Sequence, residues 1–390
     1  MALLLTIVWL GLVSAALIGC AVIERNSRLV ARSDRPELAP PRAVWGNVEA
    51  SPPSRALIAR ALAGFARLVR SQAQLVDQRP GLLLLGRLGV CLSLAIALAM
   101  VPFLGTWGGA AEDAPLVLLD LRSGLAAVGF VLLLTSFARV AIGSAERNAW
   151  SRIGSTRQVS RTIAALALLT LVFAPLAITA GSLRLHEIVL RQQLPIAPVV
   201  WLAASFDGRV ADFFQAFPFP AWNVFTQPLT ALLFIPAMTL LLGNPRVDDA
   251  TTGATFVAGL GIDADPLDRY WSRLDGRLSL VLTAALFAAL FLGAGSIPFF
   301  DPAALVVRLA PFAGETLPNL LVVGVFAVTF LVKTLLVIAV TTRLRRVIAV
   351  SRVDRALRIA TRRLLPLAWA NLLLVAASTL WLSGFFGSVG

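Results

Sequence analysis

Few side chains in this chain could do more than pack. Lys333 is its single lysine, His186 its single histidine, and Cys20 and Cys91, its two cysteines, lie inside apolar runs. No C-x-x-C or C…H spacing is present to hold zinc or an iron–sulfur cluster. The sequence therefore predicts no metal site, no Ser–His nucleophile pair and no catalytic residue within this chain. Asp263-x-Asp265-x-x-Asp268 spaces acids much as a calcium loop does. It lacks the loop's glycine and distal glutamate, so it reads as a solvated acidic turn. What remains is a set of arginines, the lysine and 21 acids, whose chemistry depends on the elements that place them.

Those elements are set by composition. Hydrophobic residues make up 58% of the 390 positions and charged residues only 14%, with a mean hydropathy of +0.83. A soluble domain carries about 25% charged residues, so this chain lacks the charge to cover a water-facing surface. Disordered tails, soluble enzymes, secreted disulfide scaffolds and collagen-like repeats are excluded. The expected fold is all-α: a polytopic membrane protein forming a single integral-membrane domain over 1–390.

Runs long enough to span a bilayer, about 20 residues, fall at about 2–23, 82–104, 121–142, 162–182, 222–243, 278–300, 317–341 and 365–384, eight in all. The shorter run 195–206 begins with prolines and reads as interfacial or re-entrant. Leu17-Ile18-Gly19-Cys20 is similar to a lipoprotein cleavage box. It lacks a basic leader and precedes a multispanning body, so an uncleaved first helix is expected. Between the first two spans, Pro36, Pro40, Pro41, Pro52 and Pro53 keep 35–54 extended. Near 55–71, Leu57, Ile58, Leu62, Phe65, Leu68 and Val69 recur at helical spacing among arginines. This predicts an amphipathic helix lying on the membrane surface.

The +13 net charge then sets orientation. Loops after the first, third, fifth and seventh spans hold 26 basic and 13 acidic residues, against 4 basic and 8 acidic in the opposite loops. Basic excess marks the cytoplasmic side, which places both termini outside a bacterial inner membrane. By these boundaries no acid lies within a span, and four cations do: Arg87, Arg122, Arg139 and Lys333. The three arginines lie near helix ends, where they can snorkel to the interface. Lys333 is about eight residues from the inner end, roughly 12 Å deep at helical rise. It is the intramembrane charge candidate, with snorkelling as its competing reading. The arginines have neither interleaved aromatics nor a recognition module, so no nucleic-acid partner is expected.

Several short motifs occur in an ordered series. They are Glu24-Arg25; Asp120-Leu121 with Gly124-Leu125; Gly154-x-x-Arg157; Gly181-Ser182-Leu183 with Glu187-Ile188-Val189; and Phe225-Thr226-Gln227-Pro228-Leu229. Val257-Ala258-Gly259, Lys333, Arg352-x-Asp354 and Leu364-Leu365-Pro366-Leu367-Ala368 with Asn371-Leu372-Leu373 complete it. In order and spacing the series resembles the H-type membrane component of proton-pumping NADH–quinone oxidoreductase, which is respiratory complex I, and its relatives in membrane-bound hydrogenases. The resemblance runs nearly the whole length, and it departs at the family's acids. The glutamate-rich loop segment corresponds to Leu241–Asp248, keeping one aspartate; the fourth-span glutamate falls on Leu166; and the sixth-span A-E-Y is replaced around Ala284-Ala285-Leu286.

What the resemblance implies is an H-type membrane subunit that anchors a cytoplasmic redox arm and borders a quinone cavity, with degenerate proton-coupling carboxylates. Glu24, Arg25 and Arg157 are the quinone-cavity candidates, and Arg345, Arg346, Arg352 and Asp354 the docking-loop candidates. This chain would bind no redox cofactor; quinone is the substrate at the interface, and flavin and iron–sulfur clusters belong to partner subunits of the membrane and cytoplasmic arms. The alternatives are an accessory structural paralogue in such a complex and an autonomous transporter. The transporter reading lacks an internal repeat and paired interrupted helices.

Overall fold

The computed structural model describes residues 2–34, 80–103, 106–107, 114–115, 117–145, 149–194, 220–242, 266–298, 316–347 and 353–387. Its helices are α1 (Ala2–Asp34), α2 (Pro80–Ala99), α3 (Gly124–Ala145), α4 (Ala149–Ala180), α5 (Leu185–Arg191), α6 (Asn223–Thr226), α7 (Pro228–Leu242), α8 (Pro266–Phe291), α9 (Thr316–Val347), α10 (Val353–Ile359) and α11 (Leu365–Gly387). A π-turn at Ala360–Leu364 joins α10 to α11. The two-residue strands β1 (Thr106–Trp107) and β2 (Ala114–Pro115) pair antiparallel between α2 and α3. Helices dominate because apolar runs in lipid must satisfy every backbone group internally.

Among the described residues, seven helices are long and apolar enough to cross a membrane, and the chain is a multi-pass membrane protein. The fifth expected span, 222–243, is broken. Gln227 leaves helical geometry at φ −137° and ψ 60°, and Pro228 starts a fresh helix, α7, of 15 residues. At 1.5 Å per residue α7 is only about 22 Å long. It is nevertheless one of the most enclosed helices, packed against α4, α8, α11 and α3.

Two other boundaries correct the sequence reading. The fourth span, expected over 162–182, extends back to Ala149, because polar residues here continue the helix. Ser151, Ser155, Gln158, Arg161 and Thr162 form a buried stripe on its early turns. The sixth span, expected over 278–300, starts at Pro266 and ends at Phe291. Asp265-Pro266 is a starting signal, with proline in the first turn. The helix ends where Gly293 and Ala294 take φ of +65° and +51°, a left-handed turn that closes an α-helix.

α8 is the hub of the bundle. It contacts α1, α2, α5, α6, α7 and α9, and 61% of its spanning window is buried against 11% for α1 and 17% for the last span. Phe287 and Phe291 meet Phe234 of α7 with ring centroids 6.0 and 5.4 Å apart. The perimeter exposes large apolar side chains such as Leu85, Phe130, Leu232, Leu374 and Trp381, which suits a lipid-facing surface. The surface helix near 55–71, the run 195–206 and the segments holding Gly243–Asp248, Val257–Gly259, Asp263, Asp265 and Arg352 lie outside the described residues.

Candidate functional site

The charged residues gather in two places along α8, one at each end. Its N-terminal turns carry Asp275 and Arg277 at the arginine-rich end of the bundle. Arg139 of α3 grips Asp275 with both edges of its guanidinium: Nη2 donates to Oδ1 at 2.6 Å and Nε to Oδ2 at 3.0 Å. Nη2 also reaches Ser279 Oγ at 2.8 Å, and Nη1 donates to Leu241 O at 3.4 Å. The side chains are 7% and 18% exposed, so this is a largely enclosed bidentate pair, strong in geometry and costly to break.

Arg161 of α4, at 1% exposure, donates Nη2 to Leu240 O at 3.1 Å. Two guanidiniums thus meet the last carbonyls of α7, where the helix dipole is negative. Arginines thus stand where water would otherwise bind the last carbonyls of this 15-residue helix. On the other flank of α8, Arg277 Nε donates to Glu24 Oε2 of α1 at 3.5 Å.

The count of span residues therefore changes. Asp275 lies within the spanning helix Trp271–Phe291 and Glu24 closes Leu5–Glu24, so carboxylates are present within the helices that cross. A span boundary drawn at 278 from hydropathy puts Asp275 in a loop; the helix itself begins earlier. Arg139 does not snorkel, because its neighbours supply acceptors within the bundle. The positions around Ala284–Leu286 and at Leu166 are aliphatic and packed on the core.

The second centre lies past the C-terminus of α8. Lys333, near the middle of α9, donates Nζ to Leu292 O at 2.6 Å, Ala294 O at 2.9 Å and Ser296 O at 2.6 Å. The ammonium also stands 4.2 Å from the centroid of Trp222, a cation–π distance. The ammonium finds its partners within the bundle, at backbone carbonyls just past the end of α8.

The α8 terminus is otherwise closed by one backbone bond and by side chains. Ala294 N–H returns to Ala288 O at 2.9 Å, Gln192 Nε2 donates to Ala289 O at 3.0 Å and Asn223 Nδ2 to Leu290 O at 2.7 Å. Gln192 Oε1 accepts from Gly293 N–H at 3.0 Å. A Cβ on Gly293 would come 2.8 Å from Trp222 Nε1, and one on Gly295 would come 2.6 Å from Phe326 O of α9. The glycines let the turn press against the lysine's own helix.

The other predicted residues are spread out. Glu24 is paired with Arg277. Arg25 is in the helical part of α1, and Arg345, Arg346 and Asp354 are in α9 and α10, with the side chains of these four outside the described set. Arg157 is half-buried on α4. α4 packs against α3, α7 and α11, whereas α1 packs against α9 and α8, so Glu24 and Arg157 belong to different helix neighbourhoods. Cys20 is buried, and among the described residues no cluster of His, Cys, Asp or Glu could hold a metal ion. His186 Nδ1 lies 3.1 Å from Asp120 Oδ1.

Two of the sequence motifs turn out to be packing devices. Gln227 Nε2 donates to Thr179 Oγ1 at 2.8 Å, Thr230 Oγ1 to Gln227 Oε1 at 3.2 Å and Asn371 Nδ2 to Thr230 Oγ1 at 2.8 Å, a buried chain tying α4, α7 and α11. Sequence reasoning missed Asp275, Arg277, Arg161 and Gln192. The i,i+4 pair Asp275–Ser279 together with the Asp265-Pro266 helix start was the signal for the first two.

The chain matches the family model described as NADH dehydrogenase over residues 58–376. It is 28% identical over 283 residues to an H-type subunit, the one numbered 2, of the NADH-quinone oxidoreductase of Cereibacter sphaeroides, covering 73% of this chain and 74% of that protein. It is 26% identical over 288 residues to the H-type subunit of the NADH-quinone oxidoreductase of Thermomicrobium roseum, covering 73% and 71%. It is 24% identical over 270 residues to the H-type subunit of the F(420)H(2) dehydrogenase of Methanosarcina acetivorans, covering 69% and 66%.

Proposed function

We propose that this chain, which belongs to the NADH dehydrogenase family, is the subunit of a complex I-like NADH–quinone oxidoreductase that anchors the cytoplasmic redox arm to the membrane. In this reading it is one integral-membrane domain with its arginine-rich end in the cytoplasm and both termini outside. Arg345, Arg346, Arg352 and Asp354 face the docking partner, and Glu24, Arg25 and Arg157 border the cavity that admits quinone. Electrons pass through flavin and iron–sulfur clusters of partner subunits. This chain contributes walls, orientation and charge.

The observation that carries the reading is the pair of ion bridges on the N-terminal half of α8. Glu24–Arg277 and Arg139–Asp275 bind the hub helix to α1 on one flank and α3 on the other, concentrating charge where a cytoplasmic arm would sit. The proton-coupling carboxylates are degenerate: Leu166 and Ala284–Leu286 carry none.

That last point favours one alternative, an accessory paralogue that keeps the scaffold without a quinone or proton role. Mild-detergent extraction of the tagged protein, with companions identified by mass, tests the family reading. Iron–sulfur and antiporter-like subunits are expected, and a lone 41.5 kDa species would sink it. Recovery of a second H-type chain with its glutamates intact would favour the paralogue. Replacing Arg157 should lower quinone turnover of the assembled complex by about 10-fold or more, as loss of a positioning contact does; unchanged turnover rejects its place at the cavity.

A further inference from the structure

An ammonium has three N–H donors and no acceptor. At Lys333 three carbonyls take all three, those of Leu292, Ala294 and Ser296, within 2.6–2.9 Å. Trp222 offers its ring on a further side. These carbonyls do not belong to a helix ladder. They follow the last turn of α8, and the left-handed Gly293 and Ala294 swing the backbone so that alternate carbonyls converge. Gln192 and Asn223 hold the preceding carbonyls of α8 in other bonds. The cradle is therefore fixed by groups other than the lysine it holds. Its N-terminal edge is the negative end of the most buried spanning helix.

We propose that residues 292–296 with Trp222 form a dedicated binding site for a primary ammonium, and that the resident ligand is the tethered head group of Lys333. The lysine acts as a positioning residue: it pins α9 to the broken end of α8. With the head group removed, the cradle remains and takes ammonium or methylammonium from solution, which cross apolar barriers as neutral amines. A larger cation such as tetramethylammonium has no N–H donor and is not accepted. The inference does not depend on which partners the chain has, so it can fail while the subunit assignment stands.

The test uses the full-length protein with whatever companions co-purify. Lys333→Ala should lower the thermal midpoint, and ammonium or methylammonium chloride should restore most of the loss, rising with concentration as a saturable ligand does. Tetramethylammonium chloride at equal ionic strength should restore none. The unmodified protein and Lys333→Met, whose side chain still fills the space, should not respond. An equal response to all three salts, or no response by a folded Lys333→Ala, overturns the proposal.

If Lys333→Ala does not fold, the unmodified chain supplies a second measurement, because Lys333 is its single lysine. Lysine labelled with nitrogen-15 in this chain and not in its companions then gives one ammonium signal. Resolved ammonium protons, with hydrogen-bond couplings to backbone carbonyls labelled at 292, 294 and 296, are expected. An ammonium that exchanges as fast as free lysine, without such couplings, rejects the site.

Discussion

The two ends of α8 hold charge inside the bundle by opposite means. At the N-terminal end a cation and an anion neutralise each other, Arg139 against Asp275. At the C-terminal end Lys333 has no acid beside it in these contacts and gives its three N–H groups to neutral backbone carbonyls. A side-chain pair is exacting: each member needs the other, and removing one strands the survivor. A backbone cradle asks little of the sequence beyond one donor-rich side chain and two or three residues able to take a left-handed turn. The first arrangement makes stability depend on particular partners; the second makes it depend on backbone shape.

The sharpest break in this contrast is at the paired end. Arg139→Met leaves the half-buried Asp275 with Ser279 as its remaining hydrogen-bond partner and should destabilise by ~2–4 kcal/mol, somewhat less than the cost of orphaning a fully buried charge. Asp275→Leu should do comparable damage by stranding Arg139. The double variant, with neither charge, should recover most of the loss. Thermal unfolding of all three in one detergent checks this. Near-additive losses would mean that the pair is not the unit that matters.

At the cradle the backbone itself is the vulnerable part. Gly293→Ala forces a side chain into a left-handed residue whose Cβ would meet Ser296 Oγ at 2.6 Å and Trp222 Nε1 at 2.8 Å. A loss of ~1–3 kcal/mol is expected. Gly276, on the same helix with nothing within 4 Å of its added Cβ, is the internal comparison. There alanine should stabilise by ~0.5–1 kcal/mol, the helix-propensity difference. Equal effects at the two glycines would show that the turn, and with it the cradle, is not strained.

A third test asks whether pairing matters where water reaches it. Glu24 and Arg277 are 25% and 36% exposed and 3.5 Å apart. Glu24→Gln should therefore cost ~0–1 kcal/mol and respond to salt. A loss matching that at Arg139 would show that the Glu24 flank is shielded from solvent, and would strengthen the case for a closed cavity there.

These residues also mark how far the sequence can be read. Among the described residues, expected apolar runs fall on each of the seven helices long enough to cross a membrane, because the bilayer sets that length directly. Run length misplaces the ends of α4 and α8, because polar residues buried by tertiary contacts look like loop residues in a hydropathy window. Asp275 falls in an expected loop for that reason, although its partner is 136 residues away and no local pattern reports such a contact. Gln227 is visible as a motif without its purpose; only packing shows it bridging Thr179 and Thr230. Lys333 stands out by composition alone. Its acceptors are backbone atoms, which carry no residue signature, so the cradle is invisible until the turn at Gly293 is placed.

The smallest expected effect belongs to charge outside the membrane altogether. On α5 the Glu187 carboxyl is held below the usual glutamate range by a hydrogen bond from Ser182, which outweighs a slight opposing push from burial, with Arg184 and His186 adding attraction. A carboxyl whose folded pKa lies below its unfolded one stabilises the fold above the unfolded pKa, and loses that contribution as pH falls through the folded value. The wild-type protein should therefore exceed Glu187→Gln in stability near neutral pH, by no more than about 1 kcal/mol because the group is exposed. The difference should vanish under acid conditions below the glutamate range. Unfolding midpoints of both proteins across that range settle it: a difference that persists in acid would mean that Glu187 works through packing. In that case the contrast between paired and cradled charge would not extend to the loop end of the bundle.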